Sequence, residues 1–213
     1  MATFLLEIGT EELPADFSRQ VISQLKSKAL SDLNEIRVGY GNILCSSTPR
    51  RILLLVENIS ESAKDCIEER KGPSEIQAFN NGSPTQAAIG FAKSCGIIPE
   101  ELQIRETPKG TFVFAKILKK GKSVDELLIS LIPKWIGELH GKRYMRWSSG
   151  ERRFSRPIRW IVSLLDEKLI PITLVGCQPE IKSSNLSRGH RLINNSITIP
   201  SASKYISTLE KKI

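Results

Sequence analysis

Histidine and cysteine are scarce in this chain: its 213 residues hold two histidines, His140 and His190, and four cysteines, Cys45, Cys66, Cys95 and Cys177. The cysteines stand far apart with no CxxC pair, so a disulfide framework or a zinc site of ordinary ligand spacing is not expected. Free thiols in a reducing cytoplasm, and no metal, are the expectation. Neither histidine stands in a pattern with cysteines or carboxylates, and each is expected to be structural. No GxxxxGK[ST], GxGxxG or HExxH segment occurs, so the signatures of an independent ATP site, a dinucleotide site and a metalloprotease are missing. Long apolar runs are also missing: none approaches the roughly 20 residues that span a bilayer. Met1-Ala2-Thr3 enters the first strand without a basic n-region, an apolar h-region or a cleavage site, so a soluble, non-exported protein is expected.

What is present is an ordinary globular composition, 40% apolar and 25% charged, with a formal charge of +8. The length suits one large or two small domains, and the excess of Lys and Arg favours a polyanionic partner or an acidic protein surface. No internal repeat or low-complexity tract is evident.

Periodicity gives the elements. Thr3 to Ile8 reads as a buried strand, and Phe17, Val21, Ile22, Leu25, Ala29 and Leu33 then recur at helical spacing behind Pro14, which suits a first helical turn. Ile43 to Cys45 and Ile52 to Val56 read as strands joined through Ser46-Ser47-Thr48-Pro49, and Glu68 to Ser74 leads into a polar loop. A second helix is predicted in NNGSPTQAAIGFAKSCG, with Ser83 as N-cap, Pro84 at the first position, Gly96 past the end, and Ala87, Ala88, Phe91 and Ala92 toward the core. Gln103 to Glu106 and Thr111 to Lys119 form a hairpin around TPKG. SVDE, Ser123 to Glu126, supplies a capping box for a third helix that Pro133 should bend or end. Ile158 to Leu165 and Leu169 to Val175 read as strands around Asp166-Glu167. The fold class expected is α+β, a mixed or antiparallel sheet with hairpins and flanking helices. Ala202, Tyr205, Ile206, Leu209 and Ile213 share one helical face with no stop signal. The chain is therefore expected to be the N-terminal piece of a longer protein, unless this helix packs back onto its own sheet.

The opening stretch FLLEIGTEELP, Phe4 to Pro14, sets Glu7 inside a strand and follows it with Glu11 and Glu12. A catalytic carboxylate pair needs two groups converging on one reacting atom with a helper nearby, and no such helper is identifiable. By alternation Glu7 shares a face with Leu5 and Gly9, opposite Phe4, Leu6 and Ile8, which allows it to emerge at a sheet surface. Gly9 is expected to supply a backbone shape closed to other residues, and Thr10 to hydrogen-bond the turn. Glu11 and Glu12 lie before a helix N-terminus, where acids are favoured. The stretch reads as a strand-to-helix seam with Glu7 or Glu11 reserved for an arginine of the basic segment, and no catalytic residue is assigned.

That basic segment, GKRYMRWSSGERRFSRPIRW, carries Lys142, Arg143, Arg146, Arg152, Arg153, Arg156 and Arg159 among Tyr144, Trp147, Phe154 and Trp160. Guanidinium forks pair with phosphates and aromatic rings stack unpaired bases, so the pattern suits RNA. A solvated basic loop, or a subunit interface built on carboxylates, would carry the same residues. Alternation turns Ile158, Trp160 and Val162 inward and Arg159 outward. Arg50 and Arg51 enter a strand, where neighbouring side chains oppose, so at most one is expected on any single surface. Arg188, His190 and Arg191 surround a glycine in SRGHRL, a shape that could cradle a phosphate or cap a loop.

Taken together, FLLEIGTEELP, TPRRILL, KGPS, AAIGFAKSCG, YMRW, FSRPIRWIVSLL and SRGHRL resemble, in order and spacing, the β subunit of the bacterial tetrameric glycyl-tRNA synthetase. The signature positions are Glu7, Gly9, Glu11, Glu12 and Pro14, together with RPIRWIV; Leu192 departs from the family, which more often has an aromatic there. The resemblance implies a B3/B4-like module over residues 1–195, followed by the start of an amphipathic helix of a further region over 196–213. It also implies an α2β2 ligase, in the cytoplasm, that joins glycine to tRNA(Gly). ATP and Mg would be used by the α subunit, and the β subunit would contribute tRNA binding and assembly. A docking domain that never touches RNA is the alternative, and an aminoacyl-tRNA hydrolase a further one. Editing sites admit products smaller than or polar relative to the correct one, and nothing is smaller than glycine, so an editing role is not expected.

Overall fold

Seven consecutive buried residues, Phe4 to Thr10, make the first strand the centre of the molecule's main sheet. The computed structural model describes residues 1–211 apart from Asn81, Arg143, 147–152, Gln178 and 190–195. The chain runs through β1 (Ala2–Thr10), α1 (Ala15–Glu35), β2 (Ile43–Thr48), β3 (Arg51–Ile59), β4 (Cys66–Ser74), α2 (Glu75–Ala78), β5 (Phe79–Asn80), β6 (Ser83–Pro84) and α3 (Gln86–Cys95). It continues through β7 (Gln103–Thr107), β8 (Gly110–Lys119), α4 (Val124–Gly137), β9 (Met145–Arg146), β10 (Arg153–Phe154), β11 (Ile158–Leu165) and β12 (Lys168–Leu169). Last come β13 (Thr173–Leu174), β14 (Ile181–Ser184), β15 (Leu186–Arg188), β16 (Ser196–Thr198) and α5 (Tyr205–Glu210).

Two compact units result, one of residues 1–63 and 122–213, the other of residues 64–121. Division at 195 was expected from the sequence; residues on both sides of that point belong to the first unit. In that unit the sheet order is β13-β14-β11-β1-β3-β2, with β12 also on β11. Its pairs are antiparallel except β11 with β14. Both faces are covered. Phe4, Leu6 and Ile8 point to one side, against Phe17, Val21, Leu25, Ala29 and Leu33 of α1 and Leu128, Ile132 and Trp135 of α4. Leu5, Leu53, Leu55, Trp160, Val162 and Leu164 point to the other, against Ile197, Ile199, Ala202, Tyr205 and Leu209. The helical face predicted at the end of the chain therefore packs back onto the sheet, while Ile206 stays 43% exposed. Each fully buried Leu, Ile or Phe contributes roughly 1.5 to 3 kcal/mol relative to exposure, so both faces hold the sheet.

The limits of β11 are those expected, and α1 begins directly after Pro14, whose φ of −58° and ψ of 140° make it the N-cap. Other boundaries differ. Pro133 does not end α4, which runs on to Gly137, because Leu131, Ile132, Trp135 and Ile136 on both sides of it are buried. That packing outweighs an interior proline's penalty of about 3 kcal/mol. Ser123 does not close the capping box; its hydroxyl donates to Asp125 Oδ1 at 2.5 Å instead. Leu169 to Val175 is split between β12 and β13.

In the second unit β8 lies between β4 and β7, and Val113 and Ala115 of β8 bury against Ala78, Ala88, Ala92, Cys95 and Leu102. Glu68 to Ser74 belongs to β4, and the hairpin around Pro108-Lys109 forms as expected. Thr85, not Ser83, caps α3, its side chain accepting from the Ala88 amide, since Ser83 and Pro84 are taken up in pairing with Asn80 and Phe79. Ala87 is exposed, and Gly96 ends the helix in the left-handed region at φ 71°.

Candidate functional site

Glu7 does not reach a surface. It lies on the β1 face shared with Leu5, is fully buried, and sits beneath β15 and α5. Its Oε1 accepts from Trp160 Nε1 at 2.5 Å and from Ser187 Oγ at 2.7 Å, and its Oε2 accepts from Tyr205 at 2.5 Å and from Ser187 at 2.9 Å. All three described partners are neutral donors, and among the described residues no arginine holds the carboxylate. Hydrogen bonds to a charged group contribute about 1.5 to 3 kcal/mol each, which offsets removal of the carboxylate from water. Burial first, then the Glu7 charge and the bond to it, push the Tyr205 phenol above its ordinary pKa, with Arg51 acting the other way. Ser187 and Tyr205 lie 180 and 198 residues from Glu7. No local pattern announces them, although Ser187 belongs to SRGHRL and Tyr205 to the last apolar face.

The rest of the opening stretch supports this arrangement. Gly9 is required by close approach: a Cβ there would stand 1.9 Å from Trp160 Cε2. A left-handed backbone is not the reason, as Gly9 is not among the described glycines with positive φ. Thr10 does not hydrogen-bond a turn through its hydroxyl, which is buried without a partner among the described residues. Glu11 meets the expectation for an acid in this stretch, pairing with Arg159 Nε at 3.2 Å on the surface.

Above the buried cluster opens a cleft of about 890 Å³. Its apolar lining includes Leu53, Trp160, Tyr205, Ile206 and Leu209, and the charged residues Glu12, Arg50, Arg51 and Glu210 also line it. Arg50 and Arg51 both line this one cleft, against the expectation of opposite faces. Alternation does not govern the pair, because Arg50 occupies the turn and only Arg51 belongs to β3. Arg51 Nη2 donates to the Arg188 carbonyl at 2.6 Å, and the Arg188 guanidinium lies 5.1 Å from the Trp160 ring centroid. The cleft thus joins an aromatic floor to cations, a combination suited to an anionic ligand with a flat apolar part.

The basic segment divides. Lys142, Arg146, Arg153 and Arg159 are exposed, and Arg156 is half-buried and donates to the Ser155 carbonyl at 2.9 Å. Arg146 and Arg153 face each other across β9 and β10, like charges that an anion between them would relieve. The aromatics go the other way: Phe154 is buried edge-on to Phe17 at 5.5 Å, Trp160 is bound to Glu7, and Tyr144 donates its hydroxyl to the Leu139 carbonyl. As expected, Ile158, Trp160 and Val162 are buried and Arg159 is exposed, although Ile158 joins the opposite core from the other two, after the irregularity between Gly9 and Thr10. Arg143, Trp147, Arg152, His190, Arg191 and Leu192 lie outside the described residues. His140 is held through its backbone, donating to and accepting from the Gln24 amide at 2.7 and 2.8 Å.

Comparison with known proteins decides the frame. Residues 4–213 match the family model described as glycyl-tRNA synthetase beta subunit. The chain belongs to this family. It is 43% identical over 212 residues to the glycine–tRNA ligase beta subunit of Gloeothece citriformis, covering 99% of this chain and 30% of that relative. The corresponding subunit of Acaryochloris marina is 45% identical with the same coverage, and that of Desulfitobacterium hafniense 39% identical over 203 residues, 95% of this chain and 29% of the relative. The chain therefore spans about 30% of the length of the curated relatives it matches. In this chain the stretch Phe4 to Pro14 includes most of β1, the strand that holds the buried carboxylate Glu7. No helix among the described residues is long and apolar enough to cross a membrane.

Proposed function

We propose that this chain is a non-catalytic part of a glycyl-tRNA synthetase β subunit, supporting ATP-dependent attachment of glycine to tRNA(Gly) through tRNA binding and subunit assembly. The relatives are named as beta subunits of glycine–tRNA ligase, which supports the reading of a subunit within a ligase complex; the α2β2 assembly is part of the proposal. ATP and Mg belong, on this reading, to the α subunit, and the complex works in the cytoplasm.

The observation that carries the non-catalytic role is the state of Glu7. An acid or base must reach the proton it transfers, whereas this carboxylate is closed off from solvent and taken up by three donors. It fastens β1, β15 and α5 together and so shapes the cleft bearing Arg50 and Arg51. A polyanion is the partner that fits the exposed cations Arg146 and Arg153 on β9 and β10. The test is tRNA binding by the assembled α and full-length β subunits over a range of salt concentrations. Arg146→Gln with Arg153→Gln is expected to flatten the fall of log affinity with log salt by about 2. Glu7→Gln, if it folds, should still charge tRNA. Loss of the chemical step with binding intact would refute the non-catalytic reading, and an unchanged salt slope would remove β9 and β10 from the RNA contact.

A further inference from the structure

The geometry points to a second contact surface: the outer face of the sheet β4-β8-β7, which binds unpaired RNA by stacking. This rests on the proposal that the subunit binds tRNA, and it names a face that neither the family match nor the basic segment identifies. Phe112, Phe114, Lys116 and Leu118 alternate along the central strand. On β4, Lys71 stands beside Phe114, Glu69 beside Lys116 and Ile67 beside Leu118; on β7, Arg105 stands beside Phe112 and Gln103 beside Phe114. Because Val113 and Ala115 fill the unit's core, this row faces the other way.

The row has the chemistry of a base-stacking platform. Two rings two residues apart on one strand stand about 7 Å apart, and both phenylalanines are only half-buried. Ile67 at 65% and Leu118 at 63% exposure extend the apolar strip. Lys71 holds its ammonium 3.3 Å from the Phe112 ring centroid, and Arg105 its guanidinium 5.5 Å from that of Phe114. On these rungs three cations, Lys71, Arg105 and Lys116, meet one carboxylate, Glu69. Arg105 binds Glu69 through two contacts, 3.0 and 2.9 Å, but both side chains are 41% exposed, so a phosphate can replace the carboxylate. A flat aromatic face flanked by net positive charge is complementary to bases and phosphates together, which an apolar protein surface would not satisfy. In the basic segment, by contrast, Phe154 is buried edge-on to Phe17 and Trp160 is only 7% exposed.

The test uses the full-length β subunit assembled with its α subunit. Phe112→Leu with Phe114→Leu keeps the apolar bulk and removes the flat rings. It is expected to weaken tRNA binding about tenfold and to raise KM for tRNA with little change in kcat. Lys71→Gln on the edge strand β4 with Lys116→Gln on the central strand β8 is expected to flatten the log affinity against log salt slope by about 1.4. Parent-like tRNA affinity in both variants overturns the inference while leaving the proposed function standing. Loss of α-subunit assembly at unchanged tRNA affinity per assembled complex also overturns it, assigning the face to protein docking. Failure of the parent assembly to bind tRNA overturns both.

Discussion

The hydroxyl of Tyr205 donates to Glu7 Oε2 at 2.5 Å, tying the last helix to the first strand across 198 residues. Tyr205→Phe removes this donor without changing the ring. Loss of one hydrogen bond to a buried carboxylate is expected to cost about 1.5 to 3 kcal/mol, a fall of roughly 5 °C or more in Tm. Glu7→Ala should cost more, because Trp160, Ser187 and Tyr205 lose their acceptor together. Glu7→Gln should fall below Glu7→Ala: its carbonyl can keep Trp160 while its amide donates to the tyrosine oxygen. Thermal unfolding ranks the three, and a Tyr205→Phe variant as stable as the parent would refute the ordering.

Gly9→Ala tests the same cluster from the backbone side. The added methyl would stand 1.9 Å from Trp160 Cε2, closer than atoms can approach, so the indole must leave Glu7 or the strand must shift. Overpacking of this kind is expected to cost about 3 kcal/mol. Combined with Trp160→Leu, the penalty should be far from additive, since the second change removes the atoms in conflict. Denaturant unfolding of both single variants and the double variant gives the coupling; additive effects would mean the contact is not the cause.

How much of this was legible depends on how far each constraint reaches along the chain. The limits of β11 and the start of α1 follow from neighbouring residues: an apolar run before Asp166, and Pro14 ahead of a helical stripe. The cap of α3 was misplaced by two residues because Ser83 and Thr85 both offer a hydroxyl beside Pro84. Only the pairing of β5 with β6 decides between them. Arg50 and Arg51 escape alternation because Arg50 stands in the turn and only Arg51 in β3. Glu7 was the largest departure. Its alternation was right, but β15 and α5 cover that face, and nothing within twenty residues of Glu7 encodes a cover supplied from residues 187 and 205. A carboxylate on a strand otherwise buried on both sides is nevertheless a signal that hydrogen-bond donors must arrive from elsewhere.

Asp32 fixes α1 to α4. Only 8% exposed, it accepts from Lys134 Nζ at 2.9 Å and from the Trp135 indole at 2.7 Å. The bond and charge of Asp32 hold the Lys134 ammonium above its ordinary pKa. Asp32→Ala leaves the fully buried Trp135 N–H without this acceptor, at an expected cost of about 2 kcal/mol. Asp32→Asn keeps an oxygen for the indole and loses only the half-exposed ion pair, about 1 kcal/mol or less. Equal destabilisation by both changes would show that the charge, not the indole bond, carries the contact.

Asp125 predicts part of the acid limb of stability. It lies in the first turn of α4, accepts from Ser123 at 2.5 Å and from the Glu126 amide at 3.0 Å, and pairs with Lys168 of β12. The Lys168 bond first, then that of Ser123, hold its carboxyl at about 2, below the ordinary 3.8. A carboxyl depressed in the folded state adds stability that is present above the unfolded pKa of about 3.9 and lost as pH falls through about 2. Because Lys168 is 64% exposed, the contribution is expected to be about 1 kcal/mol or less. Asp125→Asn should therefore destabilise the protein at pH 5, and the gap between variant and parent should narrow as pH falls through 2, where the folded carboxyl is half-protonated, and close only near about pH 1. Urea midpoints across that range decide the matter: a gap that stays constant would place the effect in helix packing rather than in the Asp125 charge.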